Sequence, residues 1–205
     1  MRRFKFAIST LAFICAIHFA SYAQDDWSTR KEIGISGGAT FSTISTYDQN
    51  ESKLIAGTFL QGYHAGFFYK YVGEKNLGII AEANYDQLGY KMVNGDEVKL
   101  DYISIPLLSH FYIGHKPSHI FINLGPEISF MINESGSSEF GPVERKSVFG
   151  LCGGLGYNKA FKKSKIGIEY RYHFTVMSNN KTEGTEAERR NSWMGVSLFY
   201  SFRLK

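Results

Sequence analysis

Nine ionisable side chains fall at alternate positions of otherwise apolar stretches, and they are the groups best placed to do chemistry. They are Glu82, Asp86, Glu127, Glu169, Arg171 and Arg203, with His64, His110 and His173. A carboxylate beside an imidazole can move a proton; carboxylates beside a guanidinium form bidentate ion pairs. The alternation is strictest from Lys165 to Val176. Lys165, Gly167, Glu169, Arg171, His173 and Thr175 hold one parity, and Ile166, Ile168, Tyr170, Tyr172, Phe174 and Val176 the other. A period of two sends these sets to opposite faces of a strand. Charge in mid-strand opposite an apolar face fits a membrane barrel with a polar interior, and argues against a soluble lipocalin-type barrel with an apolar one. Buried carboxylates must pair or bind water. The expected arrangement is a lumen ion-pair network of Glu82, Asp86, Glu127, Glu169, Arg171, His173 and Arg203. In it Arg171 and Arg203, on neighbouring strands, serve the carboxylates. The functional alternative is a proton or ion path, or a loop-face enzyme using His173 with Glu169.

Other motifs weigh against catalysis. Gly34-Ile35-Ser36-Gly37-Gly38 matches G-x-S-x-G, but a nucleophile elbow needs a strand, a sharp turn and a helix. Here the strand pattern continues through Ala39 and Phe41. Gly150, Gly154 and Gly156, with Gly153, read as room for Tyr or Arg from neighbouring strands, and no phosphate-binding P-loop is present. The histidines lack metal-ligand spacing and Cys152 stands alone. No catalytic residue, metal or cofactor is expected. Asn133-Glu134-Ser135 and Asn180-Lys181-Thr182 match the glycosylation sequon, a short pattern that carries little weight alone.

The positioning elements come next. Residues 1–23 read as a cleaved signal peptide: Arg2, Arg3 and Lys5 precede an apolar run from Phe6 to Ala20, and Ser21-Tyr22-Ala23 supplies a small-residue site before Gln24. Cys15 lies within that run, which leaves Cys152 without a disulfide partner. Removing those three cations from the 23 Lys and Arg leaves about one net positive charge against 19 Asp and Glu. A nucleic-acid partner is therefore not expected. No later stretch approaches the roughly 18 apolar residues of a membrane helix, so insertion must be by strands.

After a lead-in at 24–30, eight strands are expected in a barrel domain at 31–205. They lie near Lys31–Phe41, Leu60–Val72, Leu77–Tyr90, Val98–Ile113, His119–Ile132, Ser147–Asn158, Lys165–Val176 and Ser192–Leu204. The connections alternate. Ser42–Phe59, Lys91–Glu97 (with the hairpin pair Asn94-Gly95), Asn133–Lys146 and Ser178–Asn191 lie on one side. Gly73–Asn76, Gly114–Ser118 and Lys159–Ser164 are short and lie on the other. Outer-membrane barrels pair long outer loops with short periplasmic turns in this way. Outward aromatics form two girdles: Tyr69, Tyr71, Phe111, Tyr157, Tyr200 and Phe202 near the turns, and Phe41, Tyr63, Tyr85, Phe130, Phe149, Tyr172 and Phe174 near the loops. Pro106 and Pro126 fall inside strands, where each removes a ladder hydrogen bond, so bulges or local breaks are expected there. The fold class is all-β: an eight-stranded antiparallel up-and-down transmembrane β-barrel.

The chain resembles the Bacteroidetes outer-membrane β-barrel domain family, of the "porin family" or PorT-like kind. The residues that carry the resemblance are Gly34–Ser42, Gly62–Phe68, Tyr102–Leu108, Leu124–Glu127, Ile168–Tyr172 and the aromatic alternation at the end. It departs from many barrels in ending Arg203-Leu204-Lys205 after Phe202. The resemblance implies a location in the outer membrane of a Gram-negative bacterium, and no shared activity. The expected role is non-enzymatic: a membrane-embedded structural or interaction module with long outer loops and a filled lumen. Its surroundings would be outer-membrane lipid and lipopolysaccharide. Envelope or secretion-machine proteins are the partners to expect, met at the loops or at basic turns (His115, Lys116, Lys159, Lys162, Lys163). A PorT-like accessory of protein secretion and a small-solute porin are the alternatives.

Overall fold

A computed structural model describes residues 29–48, 53–56, 58–91, 96–114, 117–136, 147–176 and 188–204. The strands are β1 (Arg30–Asp48), β2 (Lys53–Ala56), β3 (Thr58–Glu74), β4 (Leu77–Lys91), β5 (Glu97–Ile113), β6 (Ser118–Ser135), β7 (Ser147–Ala160), β8 (Ser164–Thr175) and β9 (Glu188–Leu204). Every pairing is antiparallel. β1 bonds β3 on one side and β9 on the other, so the eight long strands close into a barrel without a free edge around the ring. Closure satisfies the backbone donors and acceptors between strands, which is what lets a sheet cross hydrocarbon. The signal peptide, most of the lead-in and Asn94-Gly95 lie outside the described residues.

The period of two holds around the ring. On β8, Gly167, Glu169, Arg171, His173 and Thr175 are buried, while Ile166, Ile168, Tyr170, Tyr172 and Phe174 are exposed. The outer surface is a continuous apolar belt. On β5 it runs from Ile113 to Ile103, above which Asp101, Lys99 and Glu97 take the outward positions. The ten rises between Ile113 and Ile103, at about 3.4 Å each and tilted by about 40°, span about 26 Å, close to the height of the apolar band on outer-membrane barrels. The girdle aromatics are outward as well; Tyr85 alone is half-buried.

One feature differs from the sequence expectation. The stretch Ser42–Phe59 is not all loop: β1 continues to Asp48, β2 returns along it with Ser45 opposite Ala56, and β9 begins early enough that Tyr47 pairs with Glu188. The run Ser-Thr-Ile-Ser-Thr-Tyr is polar yet largely β-branched or aromatic, and its strand preference outweighs its polarity. A three-stranded extension, β2–β1–β9, therefore projects beyond the belt.

The prolines break the ladder locally, as expected. The ladder is interrupted between Ala81/Leu107 and Asn84/Ser104 on one side of Pro106, and between Pro106/Glu127 and Ser109/Leu124 on the other. The register is the same above and below both gaps. Pro126 keeps its pairing with Leu151. The β4–β5 gap thus lies at Pro106 and the β5–β6 gap at Pro126, and the missing N–H of each opens the ladder on one side without a bulge. The register shift in β5–β6 lies elsewhere, at Asp101/Tyr102.

Candidate functional site in the barrel lumen

The inward residues form layers. At the centre Arg171 reaches from β8 to Glu82 on β4, four strands away in a ring of eight and so on the opposite wall. Its Nη1 donates to Glu82 Oε2 at 2.6 Å and its Nη2 to Glu82 Oε1 at 2.9 Å. Its Nε and Nη2 also donate to Glu169 at 3.0 and 2.9 Å. Asn84 donates to Glu82 at 3.0 Å and Asn123 to Glu169 at 2.9 Å. All the nitrogens of Arg171 and all four carboxylate oxygens are engaged. Bidentate geometry of this kind is what allows charges to remain buried. Lys70 lines the same cavity of about 30 Å³ and brings the cluster to charge balance. A cavity of that size holds one or two waters.

Toward the turns the lumen is largely apolar. Phe68, Phe121 and Phe199 pack edge to face, with centroids 6.1 and 5.7 Å apart, and Val72, Ile80, Leu108, Tyr112 and, at its loop-ward side, Cys152 complete the cluster. Lys70 Nζ lies 5.7 to 5.8 Å from all three phenyl centroids, a cation–π arrangement. Below it Lys165 Nζ donates to Glu32 Oε1 at 2.5 Å, and Arg30 donates to the Tyr112 hydroxyl at 2.6 Å.

Toward the loops lie two carboxylate–histidine groups. Asp86 accepts from Ser104 and sits 3.6 Å from His64 Nδ1, while His64 Nε2 meets the Ser197 hydroxyl at 2.6 Å. Glu127 Oε2 lies 2.9 Å from His173 Nδ1, and the His173 ring stacks on Trp193 at 3.5 Å between centroids. Above them Leu88, Tyr90, Val98, Leu100, Tyr102, Val148 and Trp193 form a second apolar cluster.

Six of the seven expected network residues are therefore buried in the lumen: Glu82, Asp86, Glu127, Glu169, Arg171 and His173. They form three groups rather than one network. Arg203 does not join them. It is exposed at the turn end of β9, opposite Glu32, eight residues along the strand from the level of Arg171. The parity that places it inside applies only where the wall has a far side to bury against. His110 is buried as expected and donates from Nδ1 to Asn123 at 2.6 Å.

The inward glycines do make room, but for other occupants than Tyr or Arg. A methyl at Gly156 would strike the Phe121 ring, one at Gly167 or Gly34 the rings of Phe199 or Phe68, and one at Gly154 the Glu169 carboxylate. Gly34–Gly38 lies within uninterrupted β1, so Ser36 sits on no elbow. Lys159, Lys162 and Lys163 are exposed at the turn end; His115 and Lys116 lie outside the described residues.

Two sets of lumen residues escape the reading of charge alone. The apolar layers share the inward parity of the charged positions, and that parity was the signal for them. Cys152 joins the Glu127–His173 pair, since its Sγ, the Glu127 carboxylate and a His173 nitrogen all lie within 4.8 Å of one another. Pairing Cys152 directly with His173 across β7 and β8 brings this about, a relation that spacing along the chain does not reveal.

A family model described as outer membrane protein beta-barrel domain matches residues 22–180. No curated protein matches the chain. Among solved structures, the outer membrane protein OprG from Pseudomonas aeruginosa is 13% identical, with 84% of this chain and 95% of that one covered at a TM-score of 0.54. E. coli outer membrane protein W is also 13% identical, covering 85% and 98% at 0.54. The outer membrane protein AlkL, determined in lipid bilayers, is 9% identical, covering 89% and 93% at 0.55. At these identities the likeness is one of fold.

Proposed function

The chain belongs to the outer membrane protein β-barrel domain family and is integral to the outer membrane, and from that premise we propose that it is a sealed, non-enzymatic module making its contacts at the loop end. The observation that carries this reading is the filling of the lumen. Two apolar layers enclose a belt of paired charges, and Arg171 bars the diameter between β8 and β4. An eight-stranded barrel is just wide enough for side chains to fill it. Two internal cavities lined by described residues, about 30 Å³ each, suit bound water and are too small to hold a solute.

The β2–β1–β9 extension supports a role at the loop end. It stands beyond the apolar belt, and along β2 and the first residues of β9 no further strand pairs among the described residues. Exposed strand edges are where another chain can add by backbone hydrogen bonding. Lipid and lipopolysaccharide surround the belt in this reading, and envelope proteins are its partners. A PorT-like accessory role in protein secretion, as in Bacteroidetes, is the narrower form; a deletion strain exporting its usual cargo contradicts it. Planar-bilayer recording tests the broader reading. The purified barrel is expected to give no stable conductance, and steady openings of solute-pore size would overturn it.

A further inference from the structure

We propose that Glu127, Cys152 and His173 form a binding site for one borderline-soft divalent cation of the zinc type, inside the barrel and toward its loop end. Thiolate, imidazole and carboxylate are the three ligand types such ions prefer, and three protein ligands with one open position make a common site. The three side chains come from adjacent strands β6, β7 and β8 and share the lumen face: Cys152 is directly opposite His173, and Glu127 is reached across Gly150, which has no side chain to intervene.

The atoms that would bind metal are the under-satisfied ones: Glu127 Oε2 and His173 Nδ1 face each other at 2.9 Å and neither bonds any other protein group. Glu127 Oε1 accepts from Ser129 at 3.2 Å, which leaves Oε2 aimed at His173. Glu127 Oε2, His173 Nδ1 and His173 Nε2 are all buried without a completed hydrogen bond, and both residues are more than nine-tenths buried. Cys152 Sγ has only a long 3.7 Å contact to the Gly125 carbonyl. Buried polar atoms left in this state are costly, and a cation would satisfy them together.

Size and charge also fit. Tetrahedral zinc with ligands at about 2.0 to 2.3 Å holds its donors about 3.3 to 3.8 Å apart. Donor atoms within 4.8 Å of one another reach that with side-chain rotations of about 1 Å. An adjoining cavity of about 30 Å³, bounded by Glu127, Ser129, His173 and Trp193, has room for a water as fourth ligand. On binding, Cys152 releases its thiol proton to solvent and the sulfur–metal bond forms. A dication with one thiolate, one carboxylate and a neutral imidazole carries no net charge, so it can stay buried. Stacking on Trp193 holds the His173 ring plane, as outer contacts do in metal sites.

The test uses cobalt(II) as a spectroscopic probe, added before the full chain is refolded into micelles because the apolar cluster closes over the site. Folding is scored by heat-modifiable gel mobility. One cobalt per chain is expected, with a near-ultraviolet thiolate-to-cobalt charge-transfer band that zinc displaces. Cys152→Ser should abolish the band and weaken binding at least about tenfold, whereas Cys15→Ser should leave both unchanged. A folded barrel without the band overturns the proposal, as does a band surviving in Cys152→Ser. A second readout needs no cysteine variant: in a Trp27→Phe background, cobalt should quench Trp193 emission, and unchanged emission overturns the proposal.

Discussion

Two adjacent inward positions of β8 have opposite characters. Arg171 has every nitrogen engaged, by two carboxylates that are themselves held by asparagines. His173, two residues on, has a carboxylate and a sulfur beside it and no completed hydrogen bond on either nitrogen. The difference follows from what the other strands present. Around Arg171 they offer Glu82 and Asn84 from the opposite wall, Asn123 from β6, and Gly154, over which the Glu169 carboxylate lies. Around His173 they offer a flat indole, a thiol and one carboxylate oxygen. A fully partnered cluster is structural; an under-partnered one has capacity to spare for a ligand.

Removing the clamp should have the largest effect. Arg171→Ala leaves Glu82 and Glu169 buried without a counter-charge and should cost about 3–5 kcal/mol in a denaturant titration of the folded barrel. A loss under about 1 kcal/mol would mean that the clamp is no more essential than the His173 corner. The outer face of the same strand is next. Ile168→Arg should cost about 2–4 kcal/mol if its side chain lies near mid-bilayer, measured as the shift in lipid refolding equilibrium. Tolerance there would place Ile168 away from hydrocarbon.

Steric filling comes third. Gly156→Ala forces a methyl against the Phe121 ring and the Ile168 carbonyl, so about 1–3 kcal/mol should be lost, read by urea unfolding. Neutrality would show that the phenyl cluster is loosely packed. Cys152→Ala, measured in chelator, should cost only about 1 kcal/mol, because Cys152 makes no strong bond in the metal-free barrel. A loss as large as that of Arg171→Ala would erase the contrast between the two clusters.

Much of this was legible in the chain itself. Alternation places Ile168 outside and Glu169 inside because a strand has only two faces, and all eight long strands follow from it. Three things were not legible. Arg203 keeps the inward parity but lies where the barrel ends and solvent begins, and parity carries no information about depth. The pairing of Arg171 with Glu82 across the diameter depends on strand tilt and register around the whole ring, which no local pattern encodes. The meeting of Cys152 with His173 depends on the β7–β8 register, set by a turn at Lys159–Ser164 whose length the sequence gives but whose alignment it does not. Conversely, Phe68, Phe121 and Phe199 were readable as inward by parity; the expectation of a polar lumen hid them.

The central claim is that the charged face of the sheet lies inside and spans the barrel wall to wall. A double-mutant cycle between Arg171→Ala and Glu82→Gln, measured by equilibrium unfolding in micelles, tests it most directly, because β8 and β4 share no ladder and can couple only through the lumen. The expected coupling energy is about 2 kcal/mol or more. Additive losses, with coupling below about 0.5 kcal/mol, would contradict the crossbar and with it the sealed interior.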